Sequence, residues 1–181
     1  MTVDEERVVL LDRHNQPAGT APKATVHDRN TPLHLAFSCY LFNAEGELLL
    51  TRRALTKVAW PGVWTNSACG HPLPGETPAD AVKRRCRYEL GVDIQDVELR
   101  LPEFSYRAQD ASGIVENEFC PVFSARCVSQ PEPRPSEVMD CRWVRPADLI
   151  KAVTATPWAF SPWMVAQLRE LEAEGLLAGH R

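Results

Sequence analysis

The chain has 181 residues, 44% of them hydrophobic and 24% charged, with a formal net charge of −4. That length suits one domain with a real core, and the acidic balance excludes a general nucleic-acid binder, which carries a basic face. No apolar run is long enough to span a bilayer, and MTVDEERVVLLD places acidic residues where an export signal has a basic region, so no membrane partner is expected.

The six cysteines (39, 69, 86, 120, 127 and 141) form no CxxC pair, and they read as reduced thiols of a cytoplasmic protein. Val8 to Leu11 and the turn residues after it predict a first strand. The stretch from Pro17 to Pro32 is polar and reads as irregular. Alternation from Leu33 to Phe42 predicts a half-buried strand, and Asn43-Ala44-Glu45-Gly46 turns it back into a strand over Glu47 to Thr51, a β-hairpin. Val63 to Ala68 is another short strand.

Thr77 as N-cap, Pro78 at the first helical position and Asp80 three residues after the cap start a helix that Gly91 ends. Its buried stripe is Val82, Cys86 and Leu90. Val97 to Arg107 and Phe119 to Val128 read as strands, Pro121 implying an edge position or a bulge in the second. Cys141 to Val144 is a strand, Pro146 to Val153 a helix, and Ser161-Pro162 opens a last helix with Met164, Leu168 and Leu171 on one stripe. No coiled-coil seam is visible, so a monomer is the default. Mixed strands with few helices make the fold class α+β.

Several residues could do chemistry. Imidazole and carboxylate ligands suit magnesium, manganese or zinc. His27, His34 and His71 with Glu116 and Glu118 could make such a site, since a spacing of two on an extended segment puts both carboxylates on one face. For any histidine alone a satisfied surface or core role is the simpler reading, and His14 and His180 keep it. Cys69 and His71 flank Gly70, whose missing side chain lets backbone approach a ligand. They read either as a Cys–His pair that activates the thiol as nucleophile or base or as a buried structural cysteine. Lys23, Arg53, Lys57 and Arg85 could grip a phosphate or diphosphate, against the simpler reading of a solvated basic face. For Trp158, Phe160, Trp163 and Met164 core packing is the default, although an indole face also stabilises a cation, by about 2 kcal/mol when desolvated.

Gly70, Glu76, Arg84, Glu89, Gly91 and Val92 fit the box G-x5-E-x7-R-E-U-x-E-E-x-G-U, and the chain thereby resembles the Nudix superfamily. Arg85 and Tyr88 stand at two of its acidic positions. In Nudix hydrolases those carboxylates hold the magnesium ions for pyrophosphate cleavage, so hydrolysis is not what this box implies. With HLAFSCYLFN, LLLTRRALTKVAWPGVWTNSACGHP, RRCRYELGV, SYRA, GIVENEFCPVF and TPWAFSPWM in order, the chain is similar to the type I isopentenyl-diphosphate isomerases over nearly its whole length.

The resemblance implies a Nudix-like mixed β-sheet core flanked by helices, about residues 30–170 of a single domain over 1–181. An N-terminal strand and loop extension, residues 1–30, would supply metal and phosphate ligands. It implies interconversion of isopentenyl and dimethylallyl diphosphate through a tertiary carbocation. His27, His34, His71, Glu116 and Glu118 would bind one Mn2+, Mg2+ or Zn2+. Glu89, with the Cys69 carbonyl, would hold a Mg2+ arriving with the diphosphate, and Lys23, Arg53, Lys57 and Arg85 would hold the diphosphate itself. Cys69 and Glu118 would be the acid/base groups, Tyr106 would assist proton delivery, and Trp163 would face the cationic carbon. A Nudix pyrophosphohydrolase and a non-catalytic diphosphate-binding Nudix domain are the alternatives.

Overall fold

The computed structural model describes residues 6–177, so His180 lies outside the described residues. The described residues form twelve strands: β1 Arg7–Leu11, β2 Pro17–Pro22, β3 His34–Leu35, β4 Phe37–Phe42, β5 Leu48–Arg53, β6 Trp64–Thr65, β7 Ala68–Gly70, β8 Ile94–Leu101, β9 Ser105–Gln109, β10 Val115–Phe119, β11 Val122–Cys127 and β12 Val138–Val144. The helices are α1 Lys23–Val26, α2 Pro78–Leu90, α3 Pro146–Ala155 and α4 Pro162–Ala173. Among the described residues no helix is long and apolar enough to cross a membrane.

The strands form two sheets. One is five-stranded in the order β2-β1-β3-β10-β9; the other follows β12-β5-β4-β11-β8, with β6 on β5 and β7 on β4. Two segments cross from the first sheet into the second side by side. Residues 34–42 and 115–127 run parallel, pairing as β3 with β10 and then as β4 with β11. Backbone bonds from Ala36 to the Phe119 carbonyl (2.9 Å) and from Ser38 to the Pro121 carbonyl (3.1 Å) carry the ladder across the crossing.

The strand predicted over 33–42 is therefore two strands, and Pro121 marks the crossing, with a register shift of β11 against β8 following it at Val122/Phe123. A third crossing, at Pro102–Phe104, splits the strand predicted over 97–107 into β8 and β9. The segment read as irregular contains β2 and α1, because Pro17–Pro22 finds its hydrogen-bond partner in β1.

The core has two layers. Every residue of β4 is buried, not one face only, since each face of the large sheet is covered. Phe37, Cys39 and Leu41 point toward Val82, Cys86 and Leu90 of α2. Tyr40 and Phe42 point toward Leu149 and Val153 of α3 and Met164, Leu168 and Leu171 of α4. Helix α2 is capped as its sequence predicts, the Thr77 hydroxyl accepting from the Asp80 amide at 3.2 Å and Gly91 standing at φ +65°. Asp80 answers through its side chain, accepting from the Thr77 hydroxyl at 2.7 Å. Trp158 departs from the core packing expected of it, being 81% exposed, whereas Trp163 and Met164 are buried.

The β4–β5 hairpin pairs only at Phe42 and Leu48. Beyond that pair its strands separate, and β6 and β7 pair with the inner edges. This wedge delivers Cys69 and His71 to the site.

Candidate active site

A cavity of about 270 Å³ is lined by Cys69, His71, Lys23, His27, Arg53, Lys57, Arg85, Tyr106, Glu116, Glu118 and Trp163. One end gathers imidazoles and carboxylates. Glu118 of β10 lies directly across from Tyr106 on β9 and from His34 on β3, so one row across three strands places all three. His71 follows β7, and His27 follows α1.

Ligand atoms of His27, His34, His71 and Glu118 lie within 4.8 Å of one another. His34 Nε2 is 3.2 Å from His71 Nε2 and 3.5 Å from Glu118 Oε1, and His71 Nε2 is 3.2 Å from the same oxygen. Glu116 stands outside this group of four, its Oε2 3.1 Å from His27 Nε2. Both of those atoms, and His71 Nδ1, are buried without a hydrogen-bond partner. Buried polar atoms left unmatched are costly, and here they are two ring nitrogens and one carboxylate oxygen on residues gathered at this end of the cavity.

A divalent cation fits that donor set. His34 Nδ1 donates to the Pro32 carbonyl at 2.9 Å, which leaves the Nε2 lone pair aimed into the group. Burial, then the neighbouring His34 and His27, hold the His71 pKa well below its usual value and keep it a neutral ligand. Burial opposes charge on His34 as well, but the bond and charge of Glu118, the Pro32 carbonyl and the Glu116 charge together outweigh it and raise the His34 pKa.

The proton-transfer groups adjoin this end. Tyr106 donates its hydroxyl to Glu118 Oε2 at 2.9 Å. Burial would raise the Glu118 carboxyl, but the His34 bond and charge outweigh it and leave it below the usual glutamate value. Burial pushes the Cys69 thiol up to about 11, so at neutral pH it carries its proton. The thiol donates to Asn66 Oδ1 at 3.2 Å and meets the Ser38 hydroxyl at 3.5 Å. The Trp163 ring stands 5.7 Å from the Tyr106 ring and 5.5 Å from that of Trp60.

The opposite end is cationic. Arg53 reaches under the 54–60 loop, its Nε and Nη2 donating to the Ala59 carbonyl at 3.0 and 2.7 Å, with its guanidinium 5.5 Å from the Trp163 ring centroid. Lys23 pairs with Glu6 at 2.5 Å, Lys57 with Glu137, and Arg85 with Glu89. Arg85 also lies 3.5 Å from Glu137 and 3.7 Å from Glu6. Burial and then the Arg85 charge lower the Lys23 pKa, a sign of crowded positive charge.

Glu89 does not line the main cavity; it lines a small adjoining one with Cys69, Lys57 and Glu137. Gly70 stands where Arg85 and Phe37 leave no room for a side chain. A Cβ there would sit 2.9 Å from Arg85 Cγ and 3.2 Å from the Phe37 ring, so the glycine makes room for Arg85. The Tyr88 ring lies between the guanidiniums of Arg85 (4.9 Å) and Arg134 (4.2 Å).

Glu6, Glu137 and Asn66 were not singled out from the sequence. Glu6 belongs to a terminus read only as unlike an export signal, Glu137 follows the prolines at 131, 133 and 135, and Asn66 lies within a predicted strand. Lone polar residues carry no periodicity, and only the fold supplies their partners.

Residues 32–164 match the model of the NUDIX domain. Over 174 residues the chain is 58% identical to the isopentenyl-diphosphate Delta-isomerase of Salmonella arizonae, covering 96% of each chain. With that of Agromyces mediolanus it shares 59% over 175 residues, covering 97% of this chain and 84% of the relative. Among solved structures, a Deinococcus radiodurans protein superposes with a TM-score of 0.70 at 21% identity, covering 91% of this chain and 98% of that one. A MutT protein of Methanosarcina mazei gives 0.62 at 17%, covering 80% and 96%. These two share the fold.

Proposed function

We propose that this chain, which belongs to the NUDIX-domain family of isopentenyl-diphosphate Delta-isomerases, interconverts isopentenyl and dimethylallyl diphosphate by moving one proton onto the alkene and another off it. The observation that carries the reading is one cavity with a thiol, a Tyr–Glu pair, an indole and a set of cations around it, Arg85 buried and Lys23, Arg53 and Lys57 half-buried.

Cys69 and Glu118 are the two acid/base groups. Protonation of the alkene by one creates a tertiary cation, and the other removes a proton from the carbon on the far side, so the number of protons is unchanged. Whichever of the two gives the proton in one direction takes it in the other, so the roles exchange with the direction of reaction. Tyr106, whose burial pushes its pKa well up, stays a neutral phenol and passes a proton to or from Glu118 Oε2. Trp163 faces the cationic carbon, and the buried aromatic wall excludes the water that would capture it.

Lys23, Arg53, Lys57 and Arg85 hold the diphosphate. His27, His34, His71, Glu116 and Glu118 would hold a Mn2+, Mg2+ or Zn2+, and Glu89 with the Cys69 carbonyl a Mg2+ arriving with the substrate. A cation in the His/Glu group would supply positive charge that offsets the two carboxylates and fixes their orientation. The working unit is a monomer of one domain, in which residues 1–30 are an extension bringing Lys23 and His27. Six free thiols support a reducing compartment such as the cytoplasm.

Metal-loaded protein incubated with isopentenyl diphosphate in deuterated water should give new methyl signals and deuterium in both isomers. A metal-loaded sample that gives neither product nor exchange overturns the reading. Pyrophosphate hydrolysis is not favoured, because Arg85 and the Tyr88 ring stacked on it stand where a hydrolase box has acids.

A further inference from the structure

Asn66 is wholly buried and does not line the main cavity. Its amide orientation is fixed by its surroundings. Nδ2 donates to the Cys39 carbonyl at 3.1 Å and the Ala68 carbonyl at 2.9 Å, and carbonyls only accept, so the oxygen is on the other side. That oxygen receives three donors: the Thr65 hydroxyl at 2.9 Å, the Trp163 indole N–H at 3.0 Å and the Cys69 thiol at 3.2 Å.

The Thr65 hydrogen being committed to Asn66, the Ser161 hydroxyl donates to Thr65 Oγ1 at 2.7 Å. Ser161 is the N-cap of α4, the helix that carries Trp163, and its amide donates to the Trp64 carbonyl at 2.9 Å. A thiol on β7 and an indole on α4 are thus held by one atom of the short segment between β6 and β7.

We propose that Asn66 is a positioning residue for the isomerisation, its Oδ1 fixing the Cys69 sulfur and the Trp163 ring relative to each other. This rests on the isomerase reading above. One carbon must meet the sulfur while its neighbour, bearing positive charge, meets the indole, so the spacing of the two groups decides how often the alkene is in a reactive pose. Without the shared oxygen the thiol turns to its other partner, Ser38, and the indole loses the bond that sets its tilt. Asn66 lines the small adjoining cavity with Arg53, Lys57 and Glu89, but its side-chain hydrogen bonds go to Thr65, Cys39, Ala68, Cys69 and Trp163 and to none of the cations or His/Glu ligands, so its loss is expected to act on the chemical step.

A double-mutant cycle in the metal-loaded full chain separates this role from that of the two Nδ2 bonds, which only hold the segment together. Trp163→Phe keeps an aromatic ring and removes the N–H. Asn66→Ala should lower kcat between about 10- and 100-fold, the size of a misplacement of about an ångström, with KM within about threefold. In the Trp163→Phe background the same substitution should cost at least threefold less in kcat. Additive losses, or a rise in KM at unchanged kcat, overturn the proposal.

Should Asn66→Ala not fold, the indole N–H resonance of Trp163, assigned by its disappearance in Trp163→Phe, provides the second measurement. It should shift in Cys69→Ala, because the shared acceptor then serves two donors instead of three; a resonance that stays in place overturns the proposal. This readout needs no turnover, so failure of the isomerase reading and failure of the Asn66 role remain distinguishable.

Discussion

The two ends of the cavity are built on opposite electrostatic plans. At the His/Glu end, His27 Nε2 and Glu116 Oε2 face each other at 3.1 Å without a hydrogen bond, His71 Nδ1 is buried without a hydrogen-bond partner, and two Nε2 atoms approach each other at 3.2 Å. At the cationic end each of Lys23, Lys57 and Arg85 already has a carboxylate, from Glu6, Glu137 and Glu89. The first end offers the donors for a cation; the second carries its own counterions, which an arriving diphosphate must displace. Affinity at one end therefore comes from relief of unsatisfied atoms, and at the other from an exchange of ion pairs whose net gain is small relative to its parts.

Four measurements bear on this contrast. The largest effect falls where the ends meet the chemistry: Glu118→Gln should lower kcat by about 10³-fold or more, as loss of a positioned acid/base group does. Retained turnover would remove Glu118 from that role. Next is metal removal. Chelation should abolish activity and lower the melting temperature, since a cation at 100 times its Kd stabilises by about 2.7 kcal/mol. An unchanged melting temperature would contradict a demand for a cation at the His/Glu end.

Third, Glu137→Gln removes a resident counterion. In magnesium-free buffer it should tighten inorganic pyrophosphate binding by about fivefold, the equivalent of one modest ion pair of about 1 kcal/mol. Calorimetry showing weaker binding would mean that Glu137 positions Lys57 instead of competing for it. The smallest effect is in acid. Glu76 and Glu89 sit below the ordinary value of 4.5, burial being outweighed by Arg84 for the first and Arg85 for the second. Between the folded and unfolded values the unfolded chain binds the extra proton, so stability should fall as pH drops below 4.5. Metal-free protein equally stable at pH 5 and about pH 3.5 would deny those ion pairs their part.

Parts of this organisation are readable without coordinates. Helix α2 announces itself through Thr77, Pro78, a buried stripe and Gly91, all local signals that the tertiary structure leaves intact. The ligand residues are readable because their order matches a family, not because three scattered histidines predict a cluster. The crossings at Ala36, Pro102–Phe104 and Pro121 are not readable. Alternation of side chains continues through a strand that changes sheet, and only a neighbouring strand shows where the ladder divides. β2 is hidden for a related reason, since Pro17–Pro22 has little apolar pattern and is a strand because β1 pairs with it. Asn66 and Glu137 depend on partners brought from distant segments.

The stacking of Tyr88 between Arg85 and Arg134 also limits how this scaffold could be redesigned. Positions 85 and 88 behave as one mechanical unit, an arm and the post against which it leans. Exchanging Arg85 alone for an acid would face Glu89, Glu137 and Glu6 with a fourth negative charge and no arginine between them. Exchanging Tyr88 alone would take away the post and leave the arm. Converting the box toward cleavage would require both changes together, along with something to quiet Glu137, so the single-step intermediates would be poor at either task.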